Sequence, residues 1–467
     1  MATTDPALAL AGLWRTAGLD PAALDRLRLA GREPALPSTY AIGTAAQASI
    51  AASALAAAEL HRRRGGAAQQ VAVSMRHAAI EFRSERHIRT EGSDSGARWD
   101  PIAGPYRCGD GRWVRLHTNF PHHRDGVLRL LGCANTREAV AAALSRRKAL
   151  DFEADAAAAG LCVTATRSTA EWLGSPQGRA AAALPPVLIE RIGDAPPRPL
   201  PPAADRPLAG FRALDLTRVI AGPVCGRVLA AHGAEVLHLT GPDLPNFPDL
   251  IPDTGRGKRP AHLDLGTEAG RDRLLALARG ADLFVQGYRP GALAARGFSP
   301  AALAAEAPGL VCVGLSAYGH LGPWSGRRGF DSLVQNANGM NLEEAAAAGT
   351  EGPKPLPCQA LDHASGYLLA LGAMAALIRR AEEGGSWLVR VSLAGTGEWI
   401  RGLGRLPDGL SAPEPEAAEV EALLEESDSG FGRMRAVRHA GLLAATPARW
   451  DRPALPLGSV APAWLDG

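Results

Sequence analysis

The residues of this chain that could do covalent chemistry are carboxylates close to predicted helix starts. Asp362 is the strongest candidate, because it precedes a helix predicted over residues 364–380. In that N-cap position, the helix N–H groups and the helix dipole favour an ionised carboxylate. An ionised, oriented carboxylate can act as a nucleophile or as a general base. Aspartate is also a common helix cap with no further role, so the position alone leaves both interpretations open.

Two nearby polar residues are weaker candidates. Asp331 is predicted to start a helix over residues 333–340, where it would cap the helix and pair with Arg328. His363 directly follows Asp362, and neighbours at i and i+1 on a helix do not face each other. We therefore expect His363 to be a surface or capping residue and not the partner of Asp362.

Other common catalytic and ligand-binding motifs are absent from the sequence. No G-x-G-x-x-G follows the first strand of the α/β region, and no Walker lysine motif or G-x-S-x-G elbow occurs. The cysteines lack C-x-x-C spacing and an accompanying histidine cluster, so we expect no metal site and reduced cytosolic thiols. They are Cys108, Cys133, Cys162, Cys225, Cys312 and Cys358.

Composition and charge exclude several classes of protein. The 467 residues include 50 basic and 48 acidic side chains, a net charge of +2, which gives no electrostatic case for nucleic acid. The length predicts two or three domains. The longest apolar stretch, residues 45–60, is mostly alanine and is interrupted by polar residues, so no membrane span is predicted. No secretion signal is recognised, and we expect a cytoplasmic protein.

Two segments of the chain resemble each other. Residues 41–75 and 360–393 each read as an alanine-rich helix, a basic helix end, a Gly-Gly stop and a short alternating strand. Asp362 in the second segment corresponds to Gly43 in the first, so this helix can start without an aspartate. The contrast favours a role for Asp362 beyond capping. Chance similarity of two helix–turn–strand units is the alternative.

From residue 211 onward, predicted strands and helices alternate. Strands are predicted at residues 212–216, 235–239, 282–286 and 310–315, and helices begin at residues 221, 267 and 300. This alternation predicts βαβ units and a parallel sheet. Because such sheets bind ligands at the carboxyl ends of their strands, the loops after residues 216, 239, 286 and 315 should line one crevice.

The remaining segments read as a smaller domain and its connections. Residues 105–114 predict two strands around a Gly-Asp-Gly turn, and helices are predicted at 124–131, 136–147 and 151–159. Residues 184–207 are rich in proline and predict an extended linker. Residues 407–426 predict an acidic surface linker, and residues 434–442 predict a helix.

Several motifs of the second half resemble those of the family III CoA-transferases, the CaiB/BaiF family. Their order and spacing match over about residues 208–395. They are DLTRVIAGP at 215–223, GRGKR at 255–259, LDL at 263–265, YRPGAL at 288–293, SAYGHLGPW at 316–324, GFD at 329–331 and LDHASG at 361–366. The resemblance implies an α/β fold in which a Rossmann-like parallel-sheet domain is joined to a smaller α+β domain.

The first part resembles a different section of the same family, so the chain looks like two family copies that were fused and trimmed. On this interpretation, residues 1–85 are a helix–strand segment that completes the large domain, and residues 86–183 are the small α+β domain. Residues 184–207 are the linker, and residues 208–400 are the Rossmann-like CoA-binding domain. Residues 401–467 are a second linker and a C-terminal return segment.

The resemblance implies a CoA-transferase that moves CoA from an acyl-CoA to a carboxylic acid. Asp362 falls on the position of the family's covalent nucleophile, and coenzyme A enters as the substrate thioester, with no metal. Family members form interlocked dimers, which implies a homodimer. The implied CoA-binding residues are Val219, Ile220, Ala221, Arg256, Lys258, Leu263, Gly287, Tyr288, Arg289 and Arg296.

The sequence also departs from the family. Phe330 stands where the family's racemases have a histidine, which disfavours proton shuttling. Basic CoA-contacting positions of the family fall on Gly241, Gly266 and Ala295, and residues 91–99 are the nearest match to a glycine-rich loop found in some transferases. Two alternatives stay open: an acyl-CoA racemase or isomerase that uses Asp362 as its base, and a non-catalytic CoA-binding homologue.

Overall fold

The computed structural model describes residues 3–91 and 99–465 as helices and strands arranged around a seven-stranded sheet. The strands are β1 (Leu27–Ala30), β2 (Val71–Ser74), β3 (Arg89–Thr90), β4 (Gly104–Arg107), β5 (Trp113–Leu116), β6 (Val163–Ala165), β7 (Leu188–Gly193), β8 (Arg212–Leu216), β9 (Glu235–Thr240), β10 (Lys258–His262), β11 (Leu283–Gln286), β12 (Val311–Ser316), β13 (Ser386–Ser392), β14 (Leu424–Ser429), β15 (Gly432–Val437) and β16 (Leu442–Leu443).

The helices cover both faces of that sheet and build the smaller units. They are α1 (Pro6–Ala17), α2 (Ile42–Arg63), α3 (Met75–Glu81), α4 (Ser84–His87), α5 (Pro121–Leu131), α6 (Arg137–Leu144), α7 (Ala149–Ala158), α8 (Thr169–Gly174), α9 (Pro176–Ala182), α10 (Ala221–Ala231), α11 (Ile251–Thr254), α12 (Glu268–Arg279), α13 (Pro300–Glu306), α14 (Asp331–Ala337), α15 (Met340–Ala348), α16 (Ala360–Glu383), α17 (Leu393–Gly402) and α18 (Ala417–Glu421). Short 3₁₀ turns lie at Pro21–Arg26, Pro248–Leu250, Ala294–Arg296 and Gly409–Ser411.

The seven strands follow the order β10-β9-β8-β11-β12-β13-β7. All neighbouring pairs are parallel except β13 and β7, which are antiparallel. Most residues of β8, β9, β11 and β12 are buried, as expected for parallel strands with both faces covered by helices. The predicted α/β fold with a parallel sheet is therefore confirmed.

Two long buried helices, α2 and α16, pack against each other at the centre of the protein. Small residues permit the close approach of α16 to α10, since a Cβ built on Gly366 would lie 2.6 Å from the carbonyl oxygen of Ala221 and from Val224 Cβ. By length and composition α16 is apolar enough to cross a bilayer, but its apolar stretch is fully buried inside the protein. It is the core helix against which the sheet and the other helices pack.

The segment between the two halves has a hydrophobic core of its own. Strands β4, β5 and β6 form an antiparallel sheet, and helices α5, α6 and α7 pack beside it. Tyr106, Val114 and Phe152 lie in this core. The predicted strands and helices of the smaller α+β unit are present where the sequence placed them.

The prediction of a helix over residues 434–442 is wrong. Residues 432–437 form β15, which pairs antiparallel with β14 and β3. The side chains of Met434 and Ala436 are buried, while Arg435 between them lies on the other face and contacts Glu421 and Glu426. This period of two is typical of a strand. The stretch expected to be a surface linker, residues 407–426, contains α18 and the start of β14.

Two strands of the main sheet escaped the sequence analysis. Strand β10 carries Lys258, Arg259 and Pro260, which are uncommon in a buried strand, and it lies at the edge of the sheet. Strand β7 lies within the proline-rich stretch predicted as a linker and forms the opposite edge beside β13. Edge positions tolerate such compositions because one side of the strand forms no ladder hydrogen bonds.

Candidate active site

A cavity of about 510 Å³ opens at the carboxyl ends of β8, β9, β11 and β12, where the sequence predicted a crevice. The loops that follow these four strands supply much of its wall, as parallel-sheet topology requires. The lining includes Arg218, Val219, Ile220, Ala221, Gly241, Leu244, Leu263, Gly266, Gly287, Tyr288, Arg289, Arg296, Ser316, Arg327, Arg328, Phe330 and Asp362. We call it the first cavity.

Asp362 lines this cavity from the first turn of α16. The helix begins at Ala360 and its N-cap is Gln359, so Asp362 is inside the helix and the predicted N-cap role is wrong. The residue is 8% exposed. It also lines a second cavity of about 370 Å³, and the two cavities share Val219, Ile220, Phe330 and Asp362. The carboxylate therefore lies where the two cavities meet.

Asp331 holds the backbone of Asp362 in place. One of its carboxylate oxygens, Oδ2, accepts the backbone N–H groups of Leu361 and Asp362 at 2.8 and 2.9 Å, and the other accepts a hydrogen bond from Gln335 Nε2. The predicted pairing with Arg328 is not found among the ion pairs of the described residues. Asp331 is the first residue of α14, yet it caps the neighbouring helix α16 and not its own.

His363 is a buried residue, contrary to the prediction of a surface or capping role. Its Nε2 lies 3.0 Å from Glu85 Oε2, and its ring stacks on Phe82 at 5.4 Å between centroids. Because α16 is surrounded by protein on all sides, the side chain of His363 is buried even though it faces away from that of Asp362. Glu85 belongs to α4, so the first half of the chain completes the surroundings of Asp362.

The electrostatic environment raises the pKa of Asp362 well above its ordinary value. Burial is the main cause, and the nearby carboxylates of Asp331 and Glu85 add to it. From the sequence, we expected the helix N–H groups to favour the ionised form of Asp362. They do not, because Asp331 already accepts the N–H groups of residues 361 and 362. Asp331 is therefore better placed than Asp362 to hold a negative charge.

Eight of the ten residues expected to bind CoA line the first cavity, and two lie elsewhere. The guanidinium of Arg256 is buried between Asp253, at 2.7 Å, and the ring of Trp450, at 4.0 Å from the centroid. Lys258 is also buried, and its Nζ donates to Asp215 Oδ2 at 2.8 Å and to the carbonyl of Pro223 at 2.7 Å. Neither cation reaches the cavity, so neither is retained as a CoA contact.

Lys258 and Asp215 instead support the loop that separates the two cavities. Asp215 Oδ1 accepts the backbone N–H of Thr217 at 3.0 Å, and Lys258 bridges Asp215 to Pro223 on the far side of the loop. Between these anchors, Val219 has a φ of 74°. A β-branched residue in that region is strained, by about 1–3 kcal/mol, and such strain is concentrated at functional sites.

Three further cations line the first cavity that were not among the expected CoA-binding residues: Arg218, Arg327 and Arg328. Arg218 lies between the rings of Phe120 and Tyr288, and its guanidinium donates to the carbonyl of Pro245 at 2.9 Å. Arg218 lies within the motif DLTRVIAGP at residues 215–223, directly after a predicted strand, and this position indicated a strand end. No comparable signal was available for Phe120, because it belongs to the smaller unit and reaches the first cavity only through the tertiary fold.

Phe330, which the resemblance aligned with a histidine of the racemases, stacks on His117 with 3.7 Å between ring centroids. His117 is buried, and burial lowers its pKa to about 3, so the imidazole is neutral near pH 7. Of the three positions that the resemblance aligned with basic residues of the family, Gly241 and Gly266 line the first cavity and Ala295 does not. The match to a glycine-rich loop at residues 91–99 falls almost entirely outside the described residues.

Within residues 3–91 and 99–465, no group of three or more histidine, cysteine, aspartate or glutamate side chains could hold a metal ion. The cysteines are free thiols, and five of the six are buried.

The chain belongs to CoA-transferase family III. The family model matches residues 13–189 and again residues 208–453, which together make up most of the chain. The α/β fold and the cavity at the strand ends are thus features of a member of CoA-transferase family III.

Curated relatives match only part of the chain. An acetyl-coenzyme A transferase, nodX, of Hypoxylon pulicicidum is 34% identical over 204 residues, which are 43% of this chain and 34% of that protein. A probable fatty acyl-CoA transferase of Mycobacterium tuberculosis is 36% identical over 202 residues, 40% of this chain and 50% of its own. A succinyl-CoA–D-citramalate CoA-transferase of Chloroflexus aurantiacus is 28% identical, covering 40% and 49%. The chain thus spans half or less of the length of these relatives.

Solved structures resemble parts of the chain as well. A crystal structure of a Mycobacterium tuberculosis protein shares 35% identity and a TM-score of 0.39, covering 42% of this chain and 57% of that one. A CaiB/BaiF family protein from Brucella suis shares 23% identity and a TM-score of 0.37, covering 49% and 65%.

Proposed function

We propose that this protein is a CoA-transferase that moves CoA from an acyl-CoA to a carboxylic acid through a covalent intermediate on Asp362. The observation that carries the proposal is the position of the Asp362 carboxylate at the meeting point of two cavities. A nucleophile there reaches a thioester whose CoA lies on one side and whose acyl group lies on the other. Burial also leaves the ionised carboxylate poorly solvated and therefore reactive.

The proposed reaction exchanges one bond at a time. The ionised Asp362 attacks the thioester carbonyl carbon, the carbon–sulfur bond breaks, and CoA leaves as a thiolate from the mixed anhydride. The thiolate attacks the aspartyl carbonyl, which releases the donor acid and leaves an aspartyl-CoA thioester. The acceptor carboxylate attacks that thioester and expels the thiolate again. The thiolate then attacks the acceptor's acyl carbon, which forms the new acyl-CoA and restores Asp362.

The first cavity is the proposed CoA site. Arg289 and Arg296 are exposed on its rim and lie after β11, where they can meet the phosphates of CoA. Arg218, Arg327 and Arg328 bring further positive charge to the same cavity. These arginines support the idea that CoA binding survives the loss of the family's basic residues at Gly241, Gly266 and Ala295.

A racemase is the weaker proposal, because the histidine that would exchange protons is replaced. Phe330 has no titratable group, and the imidazole stacked on it, His117, is already neutral and buried. Proton transfer at both faces of the substrate α-carbon would need a second titrating group at this place.

The two matches of the family model, at residues 13–189 and 208–453, support the idea of two trimmed family copies in one chain. We infer that the five segments defined from the sequence follow this duplication. A cytoplasmic homodimer is also retained as a proposal, to be tested by the mass of the particle in solution.

Mass spectrometry of the covalent intermediate tests the function directly. The protein is incubated with a set of acyl-CoA thioesters and then with hydroxylamine, which converts an activated aspartyl group to a hydroxamate. We expect the hydroxamate on Asp362, together with released donor acid, and no adduct in Asp362→Asn. Absence of an adduct with every thioester, combined with deuterium exchange at the substrate α-carbon, would replace the transferase proposal with proton transfer.

A further inference from the structure

We propose that the second cavity receives the acyl group and selects uncharged, apolar acyl groups, such as medium-length alkyl or aryl ones, over acyl groups with a second carboxylate. The inference rests on the proposed function and adds the class of substrate to it. The second cavity is lined by Glu85, Arg86, Trp99, His117, Asn119, Val219, Ile220, Phe247, Leu250, Phe330, Asp331, Ser332, Gln359 and Asp362.

The distribution of cations assigns the two ends of an acyl-CoA to the two cavities. Five arginines line the first cavity: Arg218, Arg289, Arg296, Arg327 and Arg328. Among the described residues, none of these five lines the second cavity. The phosphates of CoA carry several negative charges and are attracted to the arginines. With CoA in the first cavity and the thioester carbon at Asp362, the acyl group extends into the second cavity.

The charges of the second cavity disfavour a second carboxylate on the acyl group. Three of its lining residues are acidic, namely Glu85, Asp331 and Asp362. Arg86 is the one lysine or arginine among the described lining residues, and its Nε already lies 3.5 Å from Glu85 Oε1. A carboxylate brought into this space would be desolvated beside like charges, which costs free energy.

The uncharged part of the wall suits an apolar group. Ile220, Leu250, Phe247 and Phe330 supply aliphatic and aromatic surface next to Asp362. The ring of Phe330 is fixed by its stack on the neutral His117. At roughly 30 Å³ for a water-sized group, a cavity of this size has room for on the order of ten non-hydrogen atoms. That is the size of an eight-carbon chain or of an aryl group with a short side chain.

Calorimetric titration with unreactive CoA thioethers tests the selection without any turnover. The probes are free CoA, S-hexyl-CoA and S-(3-carboxypropyl)-CoA. We expect S-hexyl-CoA to bind at least about tenfold more tightly than CoA, because its chain is buried against apolar surface. S-(3-carboxypropyl)-CoA should bind no more tightly than CoA. The inference would be overturned if S-(3-carboxypropyl)-CoA bound more tightly than free CoA, or if all three probes bound with equal affinity.

A charge placed in the second cavity should reverse the preference. Phe247 is half-buried, so the longer side chain of Phe247→Arg can be accommodated. We expect this variant to bind S-(3-carboxypropyl)-CoA about tenfold more tightly than the parent protein does, and to bind S-hexyl-CoA more weakly. The matched control is Phe431→Arg, at another half-buried phenylalanine that does not line either cavity; it should change neither affinity. If free CoA fails to bind at all, the proposed function itself is wrong. If CoA binds and the three probes are not distinguished, only the selection is wrong.

Discussion

Helices α2 and α16 start in nearly the same way, yet only one start reaches a cavity. Each is a long buried helix followed by a short strand, β2 or β13. At each start, an acidic side chain from outside the helix accepts backbone N–H groups. Asp331 does so for residues 361 and 362, and Glu33 Oε1 does so for Thr44 at 2.5 Å. Burial raises the pKa of Glu33, just as it acts on Asp331.

The difference lies in what surrounds the first turn of each helix. Asp362 opens onto both cavities, while Gly43 faces packed protein. A Cβ built on Gly43 would lie 2.6 Å from Ala35 Cβ and 2.9 Å from both Glu33 Oε2 and Met75 Sδ. Position 43 in the first turn of α2 therefore has no room for a side chain. Capping by an acid from outside the helix is therefore common to α2 and α16. Only α16 has open cavity space beside its first turn, which the proposed reaction on Asp362 requires.

The largest expected effect is the loss of transfer when Asp362 loses its carboxylate. Asp362→Ala should lower kcat by at least about a thousandfold, because the covalent route is removed. Titration with free CoA should give the same affinity as the parent, since the arginines of the first cavity are untouched. Asp408→Asn removes an exposed carboxylate outside both cavities and serves as the control, with unchanged kcat. If Asp362→Ala retained CoA transfer, the start of α16 would have no catalytic role, and in this respect it would not differ from the start of α2.

The second prediction concerns the filled start of α2. Gly43→Ala should destabilise the protein by about 1–3 kcal/mol, because the new methyl group meets Ala35, Glu33 and Met75. Gly12→Ala is the matched control, since Gly12 lies in α1 with nothing within 4 Å of a built Cβ. It should leave stability unchanged or raise it by up to about 1 kcal/mol. Urea unfolding curves measure both, and equal tolerance of the two substitutions would contradict the packed start of α2.

The third prediction concerns the acid that caps α16. Asp331→Asn keeps an acceptor for the two N–H groups and removes a negative charge beside Asp362. The rate should rise with pH as Asp362 ionises, and this rise should move to lower pH in the variant, because the pKa of Asp362 falls when the neighbouring charge is lost. The maximal rate should fall about tenfold as the charge-assisted hydrogen bonds weaken. The rate is measured from pH 5 to 9. An unchanged pH profile in Asp331→Asn would show that the charge of Asp331 does not affect the ionisation of Asp362.

The smallest expected effect is a gain in stability from Asp362→Asn. The pKa of Asp362 is raised in the folded protein, so the folded state holds this proton more tightly than the unfolded chain. Its stabilising contribution is present at low pH and is lost as the pH rises through the folded pKa. The neutral asparagine should therefore stabilise the protein by about 1 kcal/mol at pH 8 and by nothing near pH 4. Thermal unfolding at both pH values measures this, and a variant less stable than the parent at pH 8 would contradict the buried charge.

Much of the fold could be predicted because it follows from local patterns. The alternation of short apolar strands and helices after residue 211 predicted the parallel sheet, and the topology rule then placed the crevice at the strand ends. The same local reasoning failed for β15, where a period of two was read as a helix, and for β10, whose charged residues hid an edge strand. In both cases the pairing strand, and not the segment itself, decides the structure.

The sequence by itself determined that Asp362 stands at the start of a long helix and that loops at the strand ends line one crevice. Only the tertiary structure decided what surrounds that carboxylate. His363 contacts Glu85 from 278 residues away, and Lys258 is held by Asp215 instead of facing the cavity. Burial and the pairing of charges depend on contacts between distant segments, and those contacts set the pKa of Asp362 and the space in front of it. No local pattern of residues specifies them.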